Sequence, residues 1–160
     1  MHAGTPQERS YDGRDRRVAI VAARFHGDIV DLLVDGAKAA LERNRVAPTD
    51  VALYRCPGAF EIPQVAARLV ALERYDAIVC LGCVIRGETA HFDYVAGEAA
   101  RGVAELGRKS QIPVLFGVLT TENRDQALAR AGGKDGNKGV DAALAALEMV
   151  ALYADLAAGS

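Results

Sequence analysis

From Arg17 onward, short apolar runs alternate with longer stretches in which apolar residues recur at helical spacing. The runs are residues 18–23, 51–54, 77–85 and 114–119, and they are rich in Val, Ile and Leu. Because they are almost continuously apolar instead of alternating, they are typical of strands covered on both faces in a parallel sheet. We therefore predict four buried parallel strands.

The stretches of helical period lie between these runs and after the last one. The clearest, residues 29–44, carries apolar side chains at helical spacing and is followed by Pro48, which stops it. Further helices are predicted at 61–72, 91–109, 123–131 and 137–156. The last is Ala-rich on several faces, so we expect it to pack against a neighbour as well as its own sheet. The order β-α-β-α-β-α-β-α-α predicts an α/β fold, a four-stranded parallel sheet between helical layers.

The length and the N-terminal composition set the domain organisation. A chain of 160 residues, 51% of them hydrophobic, has the size of one domain with a substantial core. Residues 1–16 are polar, rich in Gly, Asp and Arg, and lack the apolar segment of a secretory signal. We expect 1–16 to be a flexible or partner-dependent N-terminal arm, 17–160 to be a single domain, and the protein to be cytoplasmic.

Charge and hydropathy argue against two classes of partner. The 19 Lys and Arg residues against 21 Asp and Glu residues leave a formal charge of -2, and positive charge is concentrated only in residues 14–17. A phosphate-backbone footprint is therefore not expected. Charged residues also interrupt every apolar run before the roughly 18 residues that a membrane-spanning helix requires. We predict neither a nucleic-acid nor a membrane partner.

The three cysteines do not form a disulfide or metal pattern. Cys80 and Cys83 have a spacing that suits a metal or redox pair, but they lie inside a predicted strand. Residues three apart in a strand point to opposite faces, so these two thiols cannot easily share a ligand. We interpret them as small buried apolar side chains and expect no metal.

Ligands in a parallel sheet of this kind bind beyond the carboxyl ends of the strands. The segments that follow the four predicted strands are residues 24–27, 57–61, 86–91 and 120–123. A phospho-accepting receiver would have acidic residues after strands one and three, where this chain has Phe25 and Arg86. No G-x-G-x-x-G run follows strand one, and there is no P-loop. The strand ends therefore argue against receivers and these nucleotide binders.

Gly87, Glu88 and Thr89 lie where the third strand meets the next helix, a junction that favours an anion. Free backbone N–H groups, the helix dipole and the Thr hydroxyl all contribute to this preference. Thr89 equally suits a simple helix cap. Arg130 and Lys138 flank a glycine-rich stretch, where they would contact a phosphate or remain solvated surface charges. From spacing alone, both interpretations stay open.

Three other strand-end side chains have a functional and a structural interpretation. His91 begins a helix beside the anion junction, where its imidazole would either move protons or lie partly exposed without a role. Phe25 would either pack under a neighbour or offer its face to a planar ring. Glu61 would accept hydrogen bonds from sugar-like hydroxyls or simply begin a helix. His26 is the weaker of the two histidine candidates.

Taken together, these segments resemble the lumazine synthase family, which performs the penultimate step of riboflavin synthesis. Five motifs in family-like order and spacing cover nearly everything from residue 18 to residue 156. They are Ala-Arg-Phe at 23–25, Pro-Gly-Ala-Phe-Glu-Ile-Pro at 57–63, Leu-Gly-Cys-Val-Ile-Arg-Gly-Glu-Thr-Ala-His-Phe-Asp-Tyr-Val at 81–95, Phe-Gly-Val-Leu-Thr-Thr at 116–121, and Arg-Ala-Gly at 130–132 with Gly-Asn-Lys-Gly at 136–139. The resemblance implies a flavodoxin-like three-layer αβα sandwich.

The resemblance also implies a reaction and a set of site residues. The reaction is the condensation of 5-amino-6-(D-ribitylamino)uracil with 3,4-dihydroxy-2-butanone 4-phosphate to 6,7-dimethyl-8-(1-D-ribityl)lumazine, with release of phosphate and without a cofactor. The residues that would bind the pyrimidine and its ribityl chain are Phe25, Ala59, Phe60, Glu61, Cys83, Val84, Ile85 and Phe116. Those that would bind the phosphate are Glu88, Thr89 and Arg130, and the catalytic residues would be His91, Arg130 and Lys138.

The resemblance implies an oligomer in which neighbouring subunits share sites. Phe116 and Arg130 would reach the site from an adjacent subunit, so a monomer would be inactive. The family forms pentamers, and the short connection around residues 132–139 resembles that of members whose twelve pentamers form an icosahedral shell. Riboflavin synthase is a possible partner.

Two rival functions stay open. One is a riboflavin synthase of the archaeal type with the same fold, which needs no phosphorylated substrate; the anion junction and Arg130 speak against it. The other is a shell or ligand-binding protein without catalysis, which would need none of Phe25, His91, Arg130 and Lys138.

Overall fold

A parallel sheet of four strands forms the centre of the protein. In the computed structural model, which describes residues 10–159, the strands are β1 (Val18–Ala23), β2 (Val51–Cys56), β3 (Ala77–Ile85) and β4 (Val114–Thr121). They pair in the order β2-β1-β3-β4, and every pair is parallel. The predicted α/β class and the four-stranded sheet are confirmed. β2 and β4 continue past the predicted ends at residues 54 and 119.

Within residues 10–159, five α-helices cover the two faces of this sheet. They are α1 (Gly27–Arg43), α2 (Ile62–Ala71), α3 (His91–Lys109), α4 (Arg124–Ala129) and α5 (Lys138–Ala157). The buried residues of α1, α4 and α5 share one core cluster, and those of α2 and α3 share the other. Two helical layers with the sheet between them make the three-layer αβα sandwich of the flavodoxin-like class.

Alternation along the strands assigns side chains to these two cores. In β1, Val18, Ile20 and Ala22 belong to one cluster, and the residues between them belong to the other. Cys80 and Cys83 likewise lie in different clusters, which confirms that they point to opposite faces. All three cysteines are free and buried.

The prediction that all four strands are buried on both faces is wrong for β2 and for part of β4. β1 is fully buried and β3 is buried except at Ile85, but residues 51–54 and 114–116 are only half-buried, and Arg55 and Thr120 are exposed. The cause is position, because β2 and β4 each have a strand neighbour on one side only within the described sheet. Apolar composition alone does not separate an edge strand from a central one.

The connections differ from the predicted elements at two places. The predicted helix 61–72 begins with a 3-10 turn at Ala59–Glu61, and the predicted helix 123–131 is reduced to α4. After α4 a short antiparallel hairpin forms from β5 (Ala131–Gly133) and β6 (Gly136–Asn137). Within this hairpin Gly132 and Gly136 have φ angles of 105° and 84°, a left-handed backbone that glycine adopts without strain.

A close approach of α5 to α1 fixes the helical layer behind the sheet. Asn137 caps α5, because its Oδ1 accepts hydrogen bonds from the backbone N–H groups of Gly139 (2.8 Å) and Val140 (3.2 Å). Its Nδ2 donates to the carbonyl of Leu32 in α1 at 3.1 Å. A Cβ on Gly139 would lie 2.0 Å from the Leu33 carbonyl oxygen, so only glycine fits there.

The predicted N-terminal arm, 1–16, lies in part outside the described residues. Within 10–16, the Tyr11 backbone N–H donates to Asn44 Oδ1 and the Gly13 N–H donates to the Asn44 carbonyl, both at 2.7 Å. This segment therefore contacts the end of α1. Among the helices described, none is both long and apolar enough to cross a bilayer.

Candidate active site

An open cleft of about 740 Å³ lies at the carboxyl ends of β1, β2 and β3. We call it the strand-end cleft. Its walls come from the segment after β1, the 3-10 turn after β2, the end of β3 and the first turn of α3. The predicted site residues that line it are Phe25, Ala59, Phe60, Glu61, Cys83, Val84, Ile85, Thr89 and His91.

Phe25 forms one wall and is not packed under a neighbour within its own chain. Its side chain is 68% exposed, which leaves a flat aromatic face open to the cleft. The backbone behind it is firmly held, because the Arg24 N–H donates to the Cys56 carbonyl at 2.8 Å and the Phe25 N–H donates to the Pro57 carbonyl at 3.1 Å. The segment after β1 is thus tied to the segment after β2.

His26 follows Phe25 and has an unusual backbone. Its φ and ψ angles are 55° and 44°, the left-handed region, and its carbonyl accepts the N–H groups of Ile29 and Val30, both at 3.0 Å, where α1 begins. Its ring meets the Phe25 ring edge to face, with centroids 4.6 Å apart. Burial, helped by the nearby positive charge of Arg124, lowers the pKa of His26.

The turn after β2 forms the opposite wall. Ala59 is buried, while Phe60 is 47% exposed and adds a second aromatic surface. Glu61 is half-buried at the end of the 3-10 turn, where its side chain makes no capping hydrogen bond to α2. Its side chain lines the cleft; burial raises the pKa of Cys56, and the negative charge of Glu61 adds to that shift. Glu61 therefore lies directly before α2 and also lines the cleft.

The floor of the strand-end cleft is the end of β3. Cys83 and Val84 are buried and Ile85 is half-buried. Burial raises the pKa of Cys83 to about 11 and that of Cys80 to about 12, so both thiols are neutral near pH 7 and are poor nucleophiles. Within the described part of the chain, no group of three or more His, Cys, Asp or Glu residues is arranged to hold a metal ion.

The rim beside α3 carries the anion junction. Thr89 and His91 both line the cleft and both are exposed. The Thr89 hydroxyl accepts the His91 backbone N–H at 3.4 Å, but the N-cap of α3 is Ala90, so the interpretation of Thr89 as the helix cap is wrong. A hydroxyl that accepts one hydrogen bond still has its own O–H to donate, so this local bond leaves the anion interpretation intact.

Four predicted site residues are not among the residues lining this cleft: Glu88, Phe116, Arg130 and Lys138. Phe116 lies early in β4, opposite Cys80 and away from the carboxyl end. The hairpin brings Arg130 and Lys138 together, because the Lys138 N–H donates to the Arg130 carbonyl at 2.9 Å. Arg130 Nη1 donates to the Gln126 carbonyl at 2.9 Å and lies 3.8 Å from Asp135.

Sequence reasoning missed several residues that line the cleft. Tyr94 is 70% exposed there, and Phe92 and Val95 join it from the first turns of α3. His26, the weaker histidine candidate, lines the cleft as well. The available signal was helical spacing: residues 91, 94 and 95 share one side of a helix that begins at the anion junction.

A three-layer α/β sandwich with an aromatic-lined cleft at the carboxyl ends of parallel strands defines a small-molecule binding protein of the flavodoxin-like class. The sequence profile of the family described as 6,7-dimethyl-8-ribityllumazine synthase matches residues 15–154. The chain belongs to this family.

Several relatives carry the same description. The 6,7-dimethyl-8-ribityllumazine synthase of Prosthecochloris aestuarii is 52% identical over 146 residues, which cover 91% of this chain and 94% of the relative. That of Chlorobium phaeovibrioides is 49% identical over 146 residues with the same coverage. That of Chlorobium chlorochromatii is 50% identical over 137 residues, 86% of this chain and 88% of the relative. The similarity therefore extends over nearly the whole chain.

Proposed function

We propose that this chain condenses 5-amino-6-(D-ribitylamino)uracil with 3,4-dihydroxy-2-butanone 4-phosphate, as a transferase that forms 6,7-dimethyl-8-(1-D-ribityl)lumazine and releases phosphate and water. The observation that carries the proposal is the strand-end cleft. The cleft combines the open ring of Phe25, the carboxylate of Glu61 and the imidazole of His91, and the chain belongs to the lumazine synthase family.

The pyrimidine and its ribityl chain would occupy the walls and floor. The Phe25 ring would stack on the pyrimidine, since its face is free and its backbone is fixed by the segment after β2. Glu61 would accept hydrogen bonds from ribityl hydroxyls, with Ala59 and Phe60 beside it. The backbone at Cys83, Val84 and Ile85 would form hydrogen bonds with the edge of the uracil.

The phosphorylated substrate would bind at the rim. The Thr89 hydroxyl and the backbone at Glu88 would meet its phosphate. Arg130 would complete the phosphate site from an adjacent subunit, with Lys138 assisting and Phe116 closing the pyrimidine side. Their positions away from the cleft of their own chain support this arrangement.

His91 would move the protons that the reaction requires. The 5-amino group of the pyrimidine attacks the ketone carbonyl to give an imine and water, phosphate is then eliminated, and the ribitylamino nitrogen closes the ring with loss of water. Each step transfers protons between nitrogen, carbon and oxygen atoms, which an imidazole positioned over the reactants accelerates. The protein also holds the two substrates in register.

The sharing of sites between chains makes a homo-oligomer part of the proposal. We propose a pentamer, with twelve pentamers in an icosahedral shell, working in the cytoplasm with riboflavin synthase as a possible partner and no nucleic-acid partner. The domain would span 17–160, with 1–16 as an arm. Exposed apolar residues support an interface, since Tyr94, Leu152 and Leu156 are 70%, 46% and 61% exposed in the single chain.

An absorbance assay for lumazine formation tests the proposed function. Purified protein is incubated with both substrates, and parallel reactions omit one of them. Product is expected only when both are present. Riboflavin formed from lumazine alone would favour a riboflavin synthase, and binding of the pyrimidine without any turnover would favour a ligand-binding shell protein.

A further inference from the structure

Arg86 joins three segments beside the strand-end cleft, between Ile85 and Gly87, which both line it. Its backbone N–H donates to the Thr121 carbonyl at the end of β4, at 2.8 Å. Its Nε donates to Glu122 Oε2 at 2.8 Å, and its Nη1 lies 3.5 Å from Asp93 Oδ1 in the first turn of α3. The guanidinium carbon also lies 4.5 Å from the centroid of the Phe92 ring. The backbone and side chain of one residue thus link the ends of β3 and β4 to the first turn of α3.

The corner that holds Glu122 is itself well ordered by hydrogen bonds. The Thr121 hydroxyl donates to the Asn123 carbonyl at 2.9 Å, and the Glu122 N–H donates to Gln126 Oε1 at 2.8 Å. The Gln126 N–H in turn donates to Asn123 Oδ1, the cap of α4, at 2.8 Å. Arg86 is therefore attached to a fixed point of the fold.

The loop that begins at Arg86 has little else to fix it. Residues 87–90 lie between β3 and α3, and all are exposed. A Cβ on Gly87 would meet nothing within 4 Å. The hydrogen bonds that the structure shows for Thr89 and Ala90 run to the next residues of α3, at His91 and Asp93. The backbone that would meet the phosphate is thus held on its β3 side mainly through Arg86.

We propose that Arg86 and Glu122 form a positioning pair that holds residues 87–89 in the geometry that receives the phosphate of the substrate. This inference rests on the proposed function and goes beyond it, because neither residue is among the proposed ligands. Two carboxylates already pair with the guanidinium of Arg86. Its role is therefore to place the loop, while Thr89 and the loop backbone contact the phosphate.

The direction in which one substitution changes the affinity for the phosphorylated substrate separates positioning from simple charge attraction. Glu122→Gln removes a negative charge close to the loop. If only the electrostatic field mattered, an anion would bind more tightly to this variant. If Glu122 acts by holding Arg86 and the loop, the same variant binds the phosphorylated substrate more weakly. The two explanations thus predict changes in opposite directions.

The experiment measures KM for each substrate in turn, with the other saturating, in the native enzyme, Glu122→Gln and Arg86→Lys. We expect KM for the butanone phosphate to rise roughly twofold to fivefold in both variants, the range typical of an exposed ion pair. Lys keeps the charge but cannot make the forked contacts of Arg. KM for the pyrimidine should stay unchanged, and inhibition by inorganic phosphate should weaken in parallel.

Glu105→Gln is the matched control. It removes the same charge from an exposed pair, Glu105 with Lys109 at 2.7 Å, near the other end of α3. Its KM values should equal those of the native enzyme. A lowered or unchanged KM for the butanone phosphate in Glu122→Gln would overturn the inference.

A binding measurement keeps this test independent of turnover. Titration calorimetry with inorganic phosphate compares the native protein with the same variants. Glu122→Gln and Arg86→Lys should bind phosphate more weakly than the native protein, and Glu105→Gln should bind it equally well. If the native protein makes no lumazine yet Glu122→Gln binds phosphate more weakly, the proposed function fails and the positioning pair stands. If lumazine forms and Glu122→Gln binds phosphate as tightly as the native protein, only the positioning pair fails.

Discussion

At the scale of single residues, His91 has the side chain best suited to move protons in the strand-end cleft. It is exposed, it lines the cleft, and its backbone begins α3 beside Thr89. We expect His91→Ala to lower kcat about a hundredfold or more, the usual effect of removing a general acid or base. Because the side chain is exposed, assembly and stability should be unaffected.

Steady-state kinetics and size-exclusion chromatography check this prediction together. Arg108→Ala is a suitable control, since Arg108 is exposed in the last turn of the same helix. It should turn over at the native rate. An unchanged kcat in His91→Ala would remove the imidazole from the mechanism.

The lowered pKa of His26 makes a prediction about stability and pH. The unfolded chain titrates this group near its ordinary pKa of about 6.5, so just below that pH the unfolded state binds more protons than the folded state. Stability must then fall as the pH drops through about 6.5, and it is fully present above that value. The expected result is a melting temperature that declines toward pH 5.

His26→Asn isolates this contribution from the other titrating groups. Asn tolerates the left-handed backbone at this position but does not titrate. Its melting temperature should therefore depend less on pH below 6.5 than that of the native protein. Parallel curves for the two proteins would contradict the assignment to His26.

Most of the site was predictable at this scale because parallel strands bring their carboxyl ends to one edge. Phe25, Glu61 and His91 follow from that rule and from their positions after apolar runs. Tyr94 was not predictable in this way, because it lies on a helix and its exposure depends on how α3 is tilted over the cleft. His26 was undervalued because a single sequence does not show its left-handed backbone.

At the scale of elements, the strongly periodic segments were predictable and the connections were not. α3 spans His91–Lys109, which matches the predicted range 91–109. The match is close because the amphipathic spacing continues over roughly five helical turns. The hairpin of β5 and β6 escaped prediction because its strands, Ala131–Gly133 and Gly136–Asn137, are too short to show any alternation. Edge and central strands were likewise indistinguishable, since pairing partners are a property of the whole sheet.

The packing of α1 on α5 leads to a prediction for Gly139. A methyl group there would lie 2.0 Å from the Leu33 carbonyl oxygen and 2.7 Å from the Leu33 carbonyl carbon, both backbone atoms of a buried residue of α1. Gly139→Ala must push the two helices apart, so we expect a loss of stability of about 1–3 kcal/mol. Denaturant unfolding at a fixed protein concentration measures it.

Gly97→Ala provides the opposite case within the same protein. Gly97 lies inside α3, and a Cβ there would meet nothing within 4 Å. Alanine should therefore stabilise the helix by up to about 1 kcal/mol through propensity alone. Equal effects of the two substitutions would show that the α1–α5 contact tolerates a side chain and that the packing argument fails.

At the scale of the whole molecule, one chain supplies only part of the proposed site. Phe25 and His91 line the strand-end cleft, whereas Phe116 and Arg130 do not line the cleft of their own chain. Since β4 carries Phe116 opposite Cys80, no change of side-chain conformation would bring it to the carboxyl end of the sheet. The proposed site would therefore need a second copy of the chain, and the proposed pentamer supplies it through a head-to-tail arrangement that closes into a ring.

Mixing two inactive variants tests this sharing of sites. In His91→Ala the cleft is defective but Arg130 is intact, and in Arg130→Ala the reverse holds. We expect each variant alone to be nearly inactive. When equal amounts are unfolded together and reassembled, random neighbours should pair an intact cleft with an intact Arg130 at about a quarter of the interfaces. About a quarter of the native activity should therefore return.

The control mixes the two variants after separate assembly, without unfolding, so that subunits do not exchange. Its activity should equal the mean of the two parents, because every ring then contains one kind of subunit. The same low activity after joint reassembly would mean that each site lies within one chain. In that case Arg130 would have to reach the cleft of its own chain by moving the hairpin that carries it, and the proposal of a shared site would be withdrawn.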